Sequence, residues 1–260
     1  FAGTDAKKGV PVQIESVRGV HEVVIYRIEN GSEVEALRET KNGEHTLNYA
    51  PEIDFTEATS KLKVVVSDGR EGKEAIGYMK AYVNMDVATL NVGSQPLANN
   101  AHVKYPDAFG MVSLNDLKTY SVDYAIANEV NAKNVDFKFY CFGASGSPRL
   151  YSMDNTGKDG EFSGSTGKLS AIKVKNLTRF AILSNFDYEN ATVASISSEI
   201  LSSSIAQSLL DPIAVGNVIA FRTGGSSAAG GGRIGVMKVI NITEPKELVS
   251  NNATARVMTV

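Results

Sequence analysis

The sequence predicts a mainly β chain: an N-terminal Ig-like β-sandwich over residues 1–86, then an α+β domain over 87–260 with a mostly antiparallel sheet and one or two packed helices. Three observations predict it. Strand-sized apolar runs separated by turn dipeptides fill the first third of the chain. Later runs of the same kind are interrupted by a stripe of aliphatic residues at helical spacing. The charge balance also changes near Asp86: residues 1–86 carry 11 basic and 15 acidic side chains, net −4, whereas 87–260 carry 15 and 14, net +1.

Taken in order, Ala2 to Gly9 is small and charged without periodicity and reads as a tether or frayed terminus. Val12-Gln13-Ile14-Glu15-Ser16-Val17 alternates, and Val23-Val24-Ile25-Tyr26 is a fuller apolar run. Asn30-Gly31, Asn42-Gly43 and Asp68-Gly69 supply the positive φ of tight turns, so strands are expected near 11–17, 21–28, 33–38, 45–49, 61–67 and 74–83. Turn signals every 8–12 residues are the pattern of a sandwich. The domain boundary is expected between Asn84 and Thr89, before a strand starting at Leu90-Asn91-Val92.

In the second part, Val135 to Phe142 alternates and is rich in aromatics, which predicts a strand with one face in the core and Cys141 as a buried small hydrophobe. Further strands are expected at Phe180–Leu183, Val218–Phe221, Ile234–Ile240 and Ala255–Val260. Ile196, Ile200, Leu201, Ile205, Leu209 and Leu210 form one helical stripe with serines opposite, ended by Asp211-Pro212. A shorter helix is expected after Ser121 as N-cap, through Tyr124 to Ala127.

Composition narrows the function. The chain has 260 residues, 43% of them hydrophobic, with one Cys, three His and no Trp. An internal disulfide and a Cys/His zinc cluster are both excluded. The 26 basic and 29 acidic residues give no footprint for nucleic acid. No run approaches the ~20 apolar residues of a membrane helix. The chain begins at Phe1 rather than Met, so an N-terminal portion is expected to have been removed, and any signal peptide or lipid anchor would have gone with it.

Candidate motifs fail in specific places. Around Gly167-Lys168 a phosphate-binding loop would need Gly where Phe162 stands and Ser or Thr where Leu169 stands. A calcium loop starting at Asp154 breaks at Lys158 and Asp159. Gly143-Ala144-Ser145-Gly146-Ser147 has Ser where a nucleophile elbow needs its last Gly. His102 is the only histidine in the second domain and the one base a nucleophile there could recruit. The Gly/Ser segment 224–232 reads as a flexible hairpin loop whose flanking Arg222 and Arg233 could meet at its base and attract an anion. Tyr105, Tyr151 and Tyr188 lie near turns and could stack on a sugar ring. No metal ligand set and no cofactor is expected.

Leu90 to Gln95, Thr119 to Ala125, Asn134 to Phe139, Leu150-Tyr151-Ser152, Val215 to Thr223 and Gly235 to Ile240 together resemble a family of uncharacterised secreted lipoproteins of Bacteroides-type bacteria. The likeness covers residues 90–260, and the preceding sandwich is similar to the Ig-like modules that sit nearest the anchor in such proteins. The resemblance implies export to the cell surface with a lipid anchor. Its motifs are structural, so no functional residue carries over, and the Gly/Ser insertion at 224–232 departs from the family. The expected function is a non-catalytic exported surface protein with a binding or adhesion role. The alternatives are a glycan-binding accessory protein of polysaccharide utilisation and a hydrolase.

Overall fold

A computed structural model describes residues 2–3, 7–142, 146–202, 204–243 and 255–260. The chain is mainly β, with several antiparallel sheets, as the sequence predicts. It divides into two compact units, one comprising Phe1–Val87 with Glu189–Ser197 and the other Ala88–Tyr188 with Ser198–Val260. Nothing in the sequence marks Glu189–Ser197 for the first unit. Within that unit Lys80 Nζ holds a Glu189 carboxylate oxygen at 2.7 Å.

The first unit contains β1 (Ala2–Gly3), β2 (Lys7–Gly9), β3 (Val12–Glu29), β4 (Ser32–Tyr49), β5 (Glu52–Asp54), β6 (Thr59–Ser67), β7 (Glu74–Lys80) and β8 (Tyr82–Val83). Its main sheet has the order β4-β3-β6-β7, while β2 pairs with β5 and β1 runs parallel to β8. Alternate residues of the main sheet, Val23, Ile25, Leu62 and partly buried Val64 and Val66 among them, pack with Val10, Ile53 and Phe55 into one core. Here the structure corrects the expected strands. The four strands expected at 11–17, 21–28, 33–38 and 45–49 are replaced by a hairpin of two 18-residue strands, whereas those expected at 61–67 and 74–83 are present as β6 and β7. The described residues of this unit contain one four-stranded sheet and two strand pairs.

The physical reason lies in the glycines. Asn30-Gly31 is the two-residue turn of the hairpin, with φ of 51° and 83° and Glu29 opposite Ser32. Asp68-Gly69 sits in the loop joining antiparallel β6 and β7. Asn42-Gly43, expected to be a turn, lies inside β4, because Gly19 opposite it in β3 also has positive φ, at 88°. The register shifts between Glu15 and Val20 and again between Val20 and Glu22. Two facing bulges thus absorb the extra residues and let both strands continue. The Gly19 Cα lies so close to Gly43 that a Cβ there would run into the Gly43 carbonyl.

The second unit contains β9 (Asn91–Gly93), β10 (Met111–Ser113), β11 (Lys118–Tyr120), α1 (Val122–Ala127), α2 (Glu129–Lys133), β12 (Phe137–Tyr140), β13 (Arg149–Ser152), β14 (Arg179–Leu183), α3 (Val193–Ser202, beginning in the first unit), β15 (Leu209–Leu210), β16 (Val218–Arg222), β17 (Ile234–Lys238), β18 (Asn241–Ile242) and β19 (Val257–Thr259). The strands form antiparallel sheets of order β11-β10-β12-β13-β15, β14-β16-β17 and β18-β19-β9. Ser121 caps α1 as the sequence predicts, its hydroxyl accepting the Tyr124 N–H at 3.2 Å. Thr192 and Ser195 exchange reciprocal side-chain to backbone bonds of 2.9 and 3.1 Å at the start of α3.

The aliphatic stripe is read too far. The helix stops at Ser202, and Leu209-Leu210 is a strand that pairs with Tyr151 and Leu150. Helical periodicity cannot separate these cases, because a leucine pair serves a buried strand edge as well as a helix face.

Gly19→Ala is expected to destabilise the first unit by about 1–3 kcal/mol, since it combines a left-handed backbone with a clash against Gly43. Gly31→Ala, with similar φ but open space around it, is expected to cost about 1 kcal/mol. Urea unfolding of both variants checks the ranking.

Candidate functional site

The pleat of β12 places the polar groups of the second unit. Phe137, Phe139, Cys141 and the facing Leu150 point into a core shared with Phe180, Ile219, Phe221 and Met258. The other face carries Lys138 and Tyr140, directly opposite Tyr151 and Arg149 of β13. That face is covered by a second core containing Met153, Phe162, Leu169 and Ile172, with Val122, Ala125 and Ala132 from α1 and α2. A lysine has therefore been placed between two buried layers.

Its side chain is fully enclosed, and the Asp159 side chain that meets it is 3% exposed. Lys138 Nζ donates to Asp159 Oδ1 at 2.6 Å and to the Asn155 carbonyl at 2.8 Å, with the Tyr151 ring 5.6 Å away. Lys175 reaches the other Asp159 oxygen at 3.5 Å. Burial pushes the Lys138 ammonium below the usual lysine range, with the Asp159 charge opposing it. The segment compared with a calcium loop is thus a row of carboxylates held by the protein's own cations. Asp154 pairs with Arg179 at 2.7 Å, Asp159 with Lys138, and Glu161 with Lys158 at 2.6 Å. Burial pushes the Asp154 carboxyl up, but Arg179 and Ser152 outweigh it and hold the group below its ordinary value. Among the described residues no group of three or more His, Cys, Asp or Glu is arranged to hold a metal ion.

The Gly164 to Gly167 loop does cradle an anion, and the anion is a side chain of this protein. Asp123 accepts from the Thr166 N–H at 3.1 Å, the Thr166 hydroxyl at 2.9 Å, the Ser165 N–H at 3.1 Å, the Ser165 hydroxyl, and Asn99 Nδ2 at 2.9 Å. Bonds from Ser165 and Thr166 hold its carboxyl well below the usual carboxylate range. A third closed cluster surrounds Asp136, which is fully buried and accepts from the Leu114 N–H at 2.7 Å and Asn176 Nδ2 at 3.3 Å. Burial raises its pKa, while Ser227, Leu114 and Asn176 oppose the rise.

Ser227 belongs to the Gly/Ser segment expected to be flexible. The structure instead docks that segment: the Ala228 N–H donates to the Lys133 carbonyl at 2.7 Å, and Thr223 Oγ1 donates to the Gly230 carbonyl at 2.5 Å. Arg222 and Arg233 do not converge at its base. Thr223 is the residue bonded across to Arg233, so Arg222, one position earlier, points to the opposite face. Arg222 donates to the Ile200 carbonyl at 3.4 Å and Arg233 to the Asn115 carbonyl at 3.3 Å.

The three candidate tyrosines are scattered. Tyr151 is 5% exposed, with Tyr140 edge-on at 5.9 Å, which leaves no open ring face for a sugar. Tyr105 is half-buried against Leu97, Ala108 and Val257. Tyr188 is half-buried with Lys238 Nζ 5.7 Å from its ring. His102 accepts the Lys104 N–H at Nδ1, 3.1 Å, within its own turn, and Cys141 is fully buried. Gly143-Ala144-Ser145 of the elbow-like segment lie outside the described residues. Sequence reasoning missed Lys138 and Asp159. The available signal was a lysine flanked on both sides by aromatics in a strand, Phe137-Lys138-Phe139-Tyr140. No protein-family model, curated protein or solved structure matches the chain.

Asp159→Asn strips a buried ammonium of its counter-charge and is expected to cost about 3–5 kcal/mol, with Lys138→Met/Asp159→Leu losing less than the two single changes together. A double-mutant cycle in urea checks this, and strict additivity would mean the pair is not coupled. Asp123→Ala is expected to speed amide exchange at Ser165 and Thr166 at neutral pH. Because the folded carboxyl titrates below its unfolded value, its stabilisation is present above the ordinary carboxylate range and is lost as pH falls through the lowered value. The wild-type and Asp123→Ala melting temperatures should therefore approach each other in acid.

Proposed function

We propose that this chain is a non-catalytic, exported cell-surface protein with a binding or adhesion role. In this reading the first unit is an Ig-like spacer reduced to one full sheet, and the second is the α+β surface domain. The observation that carries the reading is the closure of the polar clusters. Lys138, Asp123, Asp136 and Asp154 each have their hydrogen-bonding capacity directed to other groups of the chain, whereas a catalytic group needs an open position for its substrate. The spacer role is supported by β3 and β4. An antiparallel strand of 18 residues extends roughly 55–60 Å at full length, the reach of a stalk rather than of an ordinary sandwich strand. The likeness of residues 90–260 to secreted lipoproteins supports export and an anchor upstream.

Two alternatives stand beside it. Tyr105 and Tyr188 are half-buried and carry the glycan-binding reading, from which enclosed Tyr151 drops out. The hydrolase reading rests on His102.

Protease treatment of intact cells producing the protein from its own gene is expected to remove it, and full protection in the cytosol would sink the surface reading. A glycan array probed with the wild type, Tyr105→Ala and Tyr188→Ala decides the alternative. A signal that both variants lower at least ten-fold favours a glycan ligand, and no signal removes it.

A further inference from the structure

We infer that β7 is a self-pairing edge, and that its partner is β7 of a second copy of this chain. The inference is independent of the proposed surface role. Among the described residues β7 pairs only with β6, so its other side is an edge of the main sheet. Its sequence is Glu74-Ala75-Ile76-Gly77-Tyr78-Met79-Lys80, five uncharged residues between two of opposite charge. Ile76 is 54% and Tyr78 66% exposed, and as residues two apart they share one face.

The other edge of the same sheet looks different. β4 carries Glu33, Glu35, Arg38, Glu39, Lys41 and Glu44, the kind of charge that keeps an edge from pairing. β7 has no such residue in its centre.

Antiparallel pairing about a two-fold axis through Gly77 is self-complementary at every position. Gly77 faces Gly77, Ile76 faces Tyr78, Ala75 faces Met79, and Glu74 faces Lys80. Both Ile76 and Tyr78 contacts fall on the same exposed face, so the apolar patches of the two copies merge. Glu74 and Lys80 thus bring opposite charges together at both ends of the pairing. No described heavy atom lies within 4 Å of where a Gly77 Cβ would stand, so a side chain can be added at this position. A seven-residue edge makes a small interface, so association is expected to be weak and reversible, in the upper micromolar range.

Sedimentation velocity of the whole chain from about 10 to about 500 µM, the range suited to so small an interface, is expected to show a monomer to dimer shift. Tyr78→Lys, at an exposed site, is expected to weaken it by about ten-fold. Register is tested by cross-linking. Gly77→Cys places two thiols about 4.5–5.5 Å apart at Cα across the axis, within disulfide reach, and should give an oxidised dimer. Ala75→Cys places its thiols more than about 12 Å apart and should not. The single native thiol, Cys141, is buried. A chain that stays monomeric throughout, a dimer that Gly77→Cys fails to trap, or equal cross-linking at Ala75→Cys would each overturn the inference.

Discussion

The buried bond between Lys138 and Asp159 is the constraint from which much of the second unit follows. β12 is covered on both faces, so any charged side chain on it must find its partner inside the protein. The partner comes from the excursion between β13 and β14, and bringing Asp159 to Lys138 draws Met153, Phe162, Leu169 and Ile172 over the sheet with it. A segment without regular strands is thereby given one position. Lost individually, either charge would leave the other desolvated, which makes the pair a determinant of where this cover sits as well as of how strongly it is held.

The first unit depends on a backbone constraint instead. Two strands of 18 residues cannot keep one face in a core over their whole length without correcting register and twist, and the facing bulges at Gly19 and Gly43 make that correction. Charges on β4 protect the long outer edge. The short edge at β7 is left uncharged at its centre and exposed, and read in reverse order it sets Glu74 against Lys80. One sheet therefore has one guarded edge and one edge suited to a second copy.

The closed clusters have a common chemistry. Asp123 in its Gly-Ser-Thr-Gly loop, Asp136 under the Gly/Ser segment, and Asp154 with Arg179 are anions satisfied by donors from distant parts of the chain. Each ties an irregular segment to a strand or helix. Such groups resemble functional sites in composition, and they differ in having their lone pairs already directed to the protein. The weight of the functional reading accordingly shifts from side-chain chemistry to surfaces and edges.

By itself the sequence determined the mainly β character, the positions of β9, β12, β14, β16, β17 and β19, the Asn30-Gly31 hairpin and the Ser121 cap, because each rests on local pattern or a short-range bond. It also placed Cys141 inside. Strand length in the first unit, the end of α3 and the assignment of Glu189–Ser197 were decided by tertiary structure. An Asn-Gly pair makes a turn or a bulge according to what lies across from it, and Leu209-Leu210 joins whichever neighbour offers free hydrogen-bonding groups. The candidate site was legible only as single residues. Arg222 and Arg233 are close in sequence and diverge by the pleat, while Lys138 and Asp159 are 21 residues apart and meet. Distance along the chain carries no information about which charges share a desolvated space, and only the packing of the segments between them settles it.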